Sequence, residues 1–186
     1  MLNESLLTAL GEILPPSALL VAAEDTRPYE CDGLTLFRAQ PLAVLLPENE
    51  AQVVEILKLC NAARLPVVAR GAGTGLSGGA TPDTQGVVLS LAKFKRILSI
   101  DPLARTAVLQ PGVRNLAISE AAAIHGLFYA PAPSSQIACT LGGTVAENSG
   151  GLHFRKYCLT VHHVRRLRGV PRPGETVAVG RGAPGR

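Results

Sequence analysis

The residues best suited to chemistry form one run, Arg70-Gly71-Ala72-Gly73-Thr74-Gly75-Leu76-Ser77-Gly78-Gly79, with five glycines in the nine positions from 71 to 79. Glycine takes positive φ freely, so successive backbone N–H groups can converge into a concave nest, and Thr74 and Ser77 add hydroxyl donors. A nest of this kind suits a phosphate or pyrophosphate. A mobile surface loop is the plainer reading of any glycine cluster, but it does not explain why a buried-type strand, Pro66-Val67-Val68-Ala69, feeds this one directly.

The elements before the loop can position it. Leu42–Leu46 is apolar without alternation between two prolines, the pattern of a buried strand. Asn49 is placed to cap a helix from Glu50 to Arg64, with Val53, Leu57 and Cys60 on one face, and Leu65-Pro66 stops that helix before the next strand. The result is a β-α-β unit ending in the glycine loop. Upstream, Asn3-Glu4-Ser5 caps a helix carrying Leu6, Leu7, Leu10 and Leu14 up to Pro15-Pro16, and a second helical piece is expected from Ser17. Residues 24–40 are charged and turn-rich.

Gly73-Thr74-Gly75-Leu76-Ser77-Gly78 fits the dinucleotide pattern G-x-G-x-x-G, but that motif must open a helix, and Gly79, Pro82, Asp83 and Gly86 leave no room for one. Asp101, at the distance of a ribose-binding acid, follows without a crossover helix. The P-loop is excluded because no Gly-Lys-Ser/Thr triplet exists. Beyond the loop, Val87–Leu91, Ile97–Ile100 and Thr106–Gln110 predict three strands joined by short links, which favour antiparallel neighbours. Pro111-Gly112 breaks the chain, and Asn115–Ile124 predicts a helix ended by Gly126. Pro131-Ala132-Pro133-Ser134-Ser135 is rigid backbone with hydroxyls. Thr140 to Gly151 is a second glycine-marked region of close backbone approach.

Composition limits the remaining possibilities. The 186 residues are 47% apolar and only 4% aromatic, so an aliphatic core is expected in one domain or two small subdomains. The longest apolar runs, such as Ala18–Ala23, fall far short of the roughly 20 residues that span a bilayer. Together with a start that lacks a basic signal head, this predicts a cytoplasmic location. Cys31, Cys60, Cys139 and Cys158 form no C-x-x-C pair, and His162 and His163 would face opposite sides of a strand, so no metal site is assigned. The net charge of +4 is concentrated at the end, where Arg155, Lys156, Arg165, Arg166, Arg168, Arg172, Arg181 and Arg186 face only Glu175. With Phe154 and Tyr157 the only aromatics near them, they read as a solvated surface and not a nucleic-acid site.

Pro-Glu-Asn-Glu at 47–50, the glycine loop at 70–79, Pro-Gly at 111–112 and Leu-Gly-Gly-Thr-Val-Ala-Glu-Asn-Ser-Gly-Gly at 141–151 together resemble the FAD-linked oxidases of the vanillyl-alcohol oxidase type, with their PCMH-type FAD-binding fold. Within that family the likeness is to the glycolate oxidase and D-lactate dehydrogenase group, over about Pro41 to Val170. The resemblance implies an α+β fold: a small β-α-β subdomain beside an antiparallel sheet, here incomplete, with flanking helices and FAD lying between. It divides the chain into a helical lead at 1–40, an FAD-binding domain at 41–180 and a tail at 181–186, without the substrate cap domain. It implies that Arg70, Gly71, Gly73, Thr74, Gly75, Ser77, Gly78 and Gly79 hold the pyrophosphate. Pro111, Gly112, Pro133, Ser134, Gly142, Gly143, Asn148, Gly150 and Gly151 then line the rest of the cofactor path. No histidine lies at 70–79, so the flavin is expected to be held without a covalent bond.

The function this implies is the FAD-binding portion of an oxidoreductase that oxidises glycolate or D-lactate. The acid is bound only if a cap domain is supplied, and other oxidase subunits are candidate partners, with peripheral attachment at the inner membrane face through them. The family's catalytic and metal-binding histidines belong to the cap, so no catalytic residue is assigned. Two other readings remain: a non-catalytic product with weak or no FAD binding, and a nucleotide-binding protein of another class using the loop at 71–79.

Overall fold

The computed structural model describes residues 2–180. Arg181, Arg186 and the expected tail at 181–186 lie outside the described residues. The chain forms two units, one from residues 2–70, 75–93 and 165–180, the other from residues 71–74 and 94–164.

The first unit begins with α1 (Glu4–Ile13), which starts where the Asn3 side chain accepts the Leu6 N–H at 2.8 Å. It buries Leu10, with Leu14 just past its end. The expected helix at Ser17 is corrected. A single 3-10 turn, Pro16–Ala18, leads into a two-residue strand, β1 (Leu19–Leu20), because Leu19 and Leu20 find antiparallel partners in Leu45 and Val44. The short helix α2 (Ala23–Thr26) opens the turn-rich segment that follows.

β2 (Ala43–Leu45) is buried throughout, as its unbroken apolar run requires. α3 (Glu50–Ala62) is capped reciprocally: Asn49 Oδ1 accepts the Gln52 N–H at 3.0 Å, and Gln52 Oε1 accepts the Glu48 N–H at 2.8 Å. Its buried face is Val53, Ile56, Leu57 and Cys60, and Arg64, at φ 53°, turns the chain into β3 (Val67–Arg70). The glycine loop then leads to β4 (Val87–Ser90). Here a second expectation is corrected. Val87–Ser90 does not join an antiparallel set; it inserts between β2 and β3, parallel to both, in a sheet ordered β1-β2-β4-β3. Burial decides this, since all four β4 residues are buried, which only a central strand covered on both faces allows. Each fully buried Val or Leu here contributes on the order of 1.5–3 kcal/mol.

The second unit holds the antiparallel hairpin β5 (Ile97–Asp101) and β6 (Thr106–Leu109). Its turn is set by Asp101 Oδ1, which accepts the Leu103 and Ala104 N–H groups, and by Arg105 at φ 50°. α4 (Asn115–Ala122) continues as a 3-10 turn, Ala123–His125, and ends at Gly126 in the left-handed region, φ 67°. The second glycine-marked stretch forms a short helix, α5 (Leu141–Ala146), followed by α6 (Phe154–Tyr157). Thr160–His162 is a 3-10 turn and not the strand expected for the paired histidines. Its buried Thr160 bonds the Ser149 carbonyl through both N–H and hydroxyl.

The chain returns to the first unit as β7 (Arg166–Gly169) and β8 (Val177–Gly180), which pair antiparallel with one another and are exposed along their lengths. Arg168 and the Thr176 hydroxyl both donate to Glu50 at the start of α3. No helix among the described residues is long and apolar enough to cross a membrane.

Candidate functional site

The glycine loop leaves β3 at Arg70, and its two halves are held by different neighbours. In the first unit, Arg70 is 9% exposed and uses its guanidinium on its own chain. Nη1 donates to the carbonyls of Cys31 at 2.8 Å and Ala80 at 3.0 Å, and the group lies over the Tyr29 ring at 5.6 Å. Burial pulls the Arg70 pKa down, opposed by the Cys31, Tyr29 and Asp32 side chains. Asp32 is the second anchor: Oδ2 accepts the Gly78 N–H at 2.9 Å and Oδ1 accepts the Leu34 N–H at 2.9 Å. The Gly78 bond is the largest cause holding the Asp32 carboxyl below its usual range. Gly33 also donates its N–H to the Gly75 carbonyl at 2.9 Å.

Gly73 and Gly78 sit at φ 72° and 82°, conformations that L side chains rarely adopt. Leu76, Ser77, Gly78 and Gly79 are exposed. Among the described residues, no backbone N–H from Ala72 to Ser77 has an acceptor within the protein, whereas that of Gly78 is taken by Asp32. Unpartnered amide donors on glycine-rich backbone are the donor type that a pyrophosphate accepts from, so these residues fit that group.

In the second unit the loop's first residue meets α5. A Cβ on Gly71 would overlap the Thr140 hydroxyl, and that buried hydroxyl has no hydrogen-bond partner. The start of α5 is stitched to the Pro111–Val113 segment: Leu141 donates to the Val113 carbonyl and Gly142 to the Pro111 carbonyl, both at 2.8 Å. Gly112 and Val113 are buried beneath this contact. Asn148, at φ 50°, accepts the Val161 N–H on its side chain. A Cβ on Gly151 would overlap the Ala132 carbonyl. Ser134, Gly151, Leu152 and Arg155 line an open cavity of about 470 Å³ in this unit. Gly143 has ordinary space around it, and Pro133 and Gly150 are half-buried.

The structure therefore gathers Gly71, Pro111, Gly112, Gly142 and Gly143 around the start of α5, and Ser134 with Gly151 at the cavity. Three residues escaped the sequence reading. Asp32 lies in a Cys-Asp-Gly turn whose Asp-Gly pair was a usable signal, Thr140 was only the first residue of the second glycine-marked region, and Asn115 was only a helix start. Asn115 is 1% exposed and donates Nδ2 to the Pro131 carbonyl at 3.0 Å, fixing the Pro131–Ser134 backbone.

The histidines do not assemble a reactive set. His153 packs edge-on against Phe128 and Tyr157, and His163 Nε2 bonds the Tyr157 carbonyl. Among the described residues, no group of three or more His, Cys, Asp or Glu side chains lies together for a metal ion.

A family described as an FAD binding domain matches residues 41–180. The chain is 54% identical over 176 residues to the glycolate oxidase subunit GlcD of Escherichia coli strain K12, covering 95% of this chain and 35% of that protein. It is 36% identical over 174 residues to a D-lactate dehydrogenase of Archaeoglobus fulgidus, covering 94% of this chain and 38% of that protein. It thus spans little more than a third of the length of these curated relatives. An alkyldihydroxyacetonephosphate synthase structure superposes with a TM-score of 0.87 at 19% identity, covering 98% of this chain and 36% of that one, a likeness of fold. The chain belongs to the FAD binding domain family, and its mixed helix and sheet architecture is the PCMH-type fold that the motifs implied.

Proposed function

From this membership we propose that the chain binds FAD without a covalent bond and serves as the flavin-holding part of a 2-hydroxy-acid oxidoreductase. The observation that carries the reading is the run of N–H groups from Ala72 to Ser77 that have no acceptor among the described residues, beginning two residues after β3 and containing Gly73 at φ 72°. The loop residues Gly71, Gly73, Thr74, Gly75, Ser77 and Gly79 hold the pyrophosphate, while Arg70 and Gly78 maintain the loop's shape. Pro111, Gly112, Pro133, Ser134, Gly142, Gly143, Asn148, Gly150 and Gly151 offer the close backbone surface along the rest of the cofactor. When bound, the flavin supplies the hydride acceptor for an alcohol carbon.

Glycolate and D-lactate are the substrates to try first, because the relatives bear those names. Removal of the α-hydrogen also needs a base at the hydroxyl and cationic groups at the carboxylate, a role assigned to no residue of this chain. A cap domain and other oxidase subunits would supply them, and a cytoplasmic place at the inner membrane face, reached through such subunits, accords with this. The test is the colour and stoichiometry of the purified chain, followed by titration with FAD, ATP and NAD. Flavin absorbance near one equivalent, or saturable binding of FAD ahead of the other two, supports the proposal. A chain that takes up no FAD, or prefers ATP or NAD, overturns it.

A further inference from the structure

Residues 27–34 precede the stretch that the family match covers, yet they hold the far half of the glycine loop. Asp32 takes the Gly78 N–H, Gly33 donates to the Gly75 carbonyl, and the Arg70 guanidinium joins the Cys31 carbonyl to that of Ala80. Both charged side chains are buried, at 6% exposure for Asp32 and 9% for Arg70. We propose that Asp32 and Arg70 form a clasp that sets the conformation of Gly75–Ala80 for the cofactor's pyrophosphate, which makes Asp32 a positioning residue of the FAD site although it lies outside the domain.

The chemistry favours this role over simple packing. An ionised carboxylate only accepts hydrogen bonds, and this one takes two backbone N–H groups, one from the loop and one from its own turn. Gly78 reaches Asp32 at φ 82°, and a Cβ there would meet nothing within 4 Å, so backbone conformation rather than crowding calls for glycine. By occupying the Gly78 N–H, Asp32 removes it from the donor set, while the amides of 72–77 remain without an acceptor among the described residues. Cys31, Tyr29 and, more weakly, the Asp32 carboxylate are the titratable groups whose charges act on Arg70.

The inference rests on the proposed FAD binding, so its test reads the loop separately from the cofactor. Amide hydrogen exchange at Gly78 is measured in the cofactor-free chain, and FAD affinity by flavin fluorescence titration, for the parent, Asp32→Ala, Asp32→Asn and the control Asp83→Ala. Asp83 makes a comparable local bond to the Gln85 N–H outside the clasp. Expected are Gly78 exchange and FAD Kd both raised at least tenfold in Asp32→Ala and by less in Asp32→Asn, whose amide oxygen can keep one of the two bonds. Exchange at Val44 in β2 should stay at the parent rate, which a general loss of stability would not allow, and Asp83→Ala should match the parent throughout. Parent-like Gly78 exchange in both Asp32 variants, or faster exchange with unchanged FAD Kd, overturns the clasp. If the parent itself takes up no FAD, the proposed function fails, and unchanged Gly78 exchange would then still refute the clasp.

Discussion

Gly142 donates its N–H to the Pro111 carbonyl at 2.8 Å, and a Cβ on Gly142 would stand 2.8 Å from the Pro111 Cβ. Two motifs far apart in the sequence are thus the two sides of one close contact. Gly142→Ala forces Pro111 and the start of α5 apart, at a cost of about 1–3 kcal/mol typical of overpacking. The urea midpoint should fall accordingly, and an unchanged midpoint would mean that the segment yields freely.

Gly73 tests the cradle itself. An L residue held in the left-handed region costs about 1–2 kcal/mol, and Gly73 sits at φ 72°. If the loop must keep this shape to accept FAD, Gly73→Ala should raise the FAD Kd about 5- to 30-fold. Isothermal titration that finds equal affinities would remove Gly73 from the site.

Acid should loosen the clasp. The Asp32 carboxyl is held below its usual range chiefly by the Gly78 N–H, against an unfolded value of about 3.9. A depressed folded pKa contributes stability that is fully present above the unfolded value and is lost as pH falls through the folded one. The Arg70 guanidinium keeps its charge across this window. Urea midpoints from pH 7 down to about 2.5 should therefore drop less steeply below about pH 4 for Asp32→Asn than for the parent. Parallel curves would mean that Asp32 titrates alike in both states.

The thiols should separate by burial. Cys60 is on the buried face of α3, where desolvation pushes its pKa up to about 11, and burial likewise raises that of Cys139, whereas Cys158 is exposed. A thiol reagent at about pH 8 should modify Cys158 first and leave Cys60 untouched until denaturant is added. Rapid labelling of Cys60 in the folded chain would contradict its placement.

The 186 residues with added FAD should not oxidise glycolate or D-lactate. Two of their histidines are engaged in packing or backbone bonds: His153 against Phe128 and Tyr157, His163 on the Tyr157 carbonyl. Reduction of a dye acceptor faster than with free FAD, and abolished by His153→Ala, would reveal a base within this chain.

What the sequence made legible was local. The Asn3 and Asn49 caps, the buried run of β2, the left-handed Gly126 and the glycine loop all announce themselves within a few residues, because capping, alternation and φ preference are short-range effects. Strand neighbours are not. Nothing near Val87 says that β4 lies between β2 and β3, since that depends on registers with Ala43 and Val67. Asp32 was missed for the same reason: its partner at Gly78 is 46 positions away. Thr140 and Gly71 looked unrelated until the fold brought them together.

The place of β4 also bears on the order in which the protein can be made. In the folded sheet β2 and β3 are not neighbours but stand two strand spacings apart, roughly 9.6 Å, with Val87–Ser90 between them. A chain made only as far as Arg70 lacks the strand that joins β2 to β3, and the whole glycine loop must follow before that strand exists. The glycine loop is thus also the tether between β3 and β4, so lengthening it should slow closure of the sheet whatever it binds.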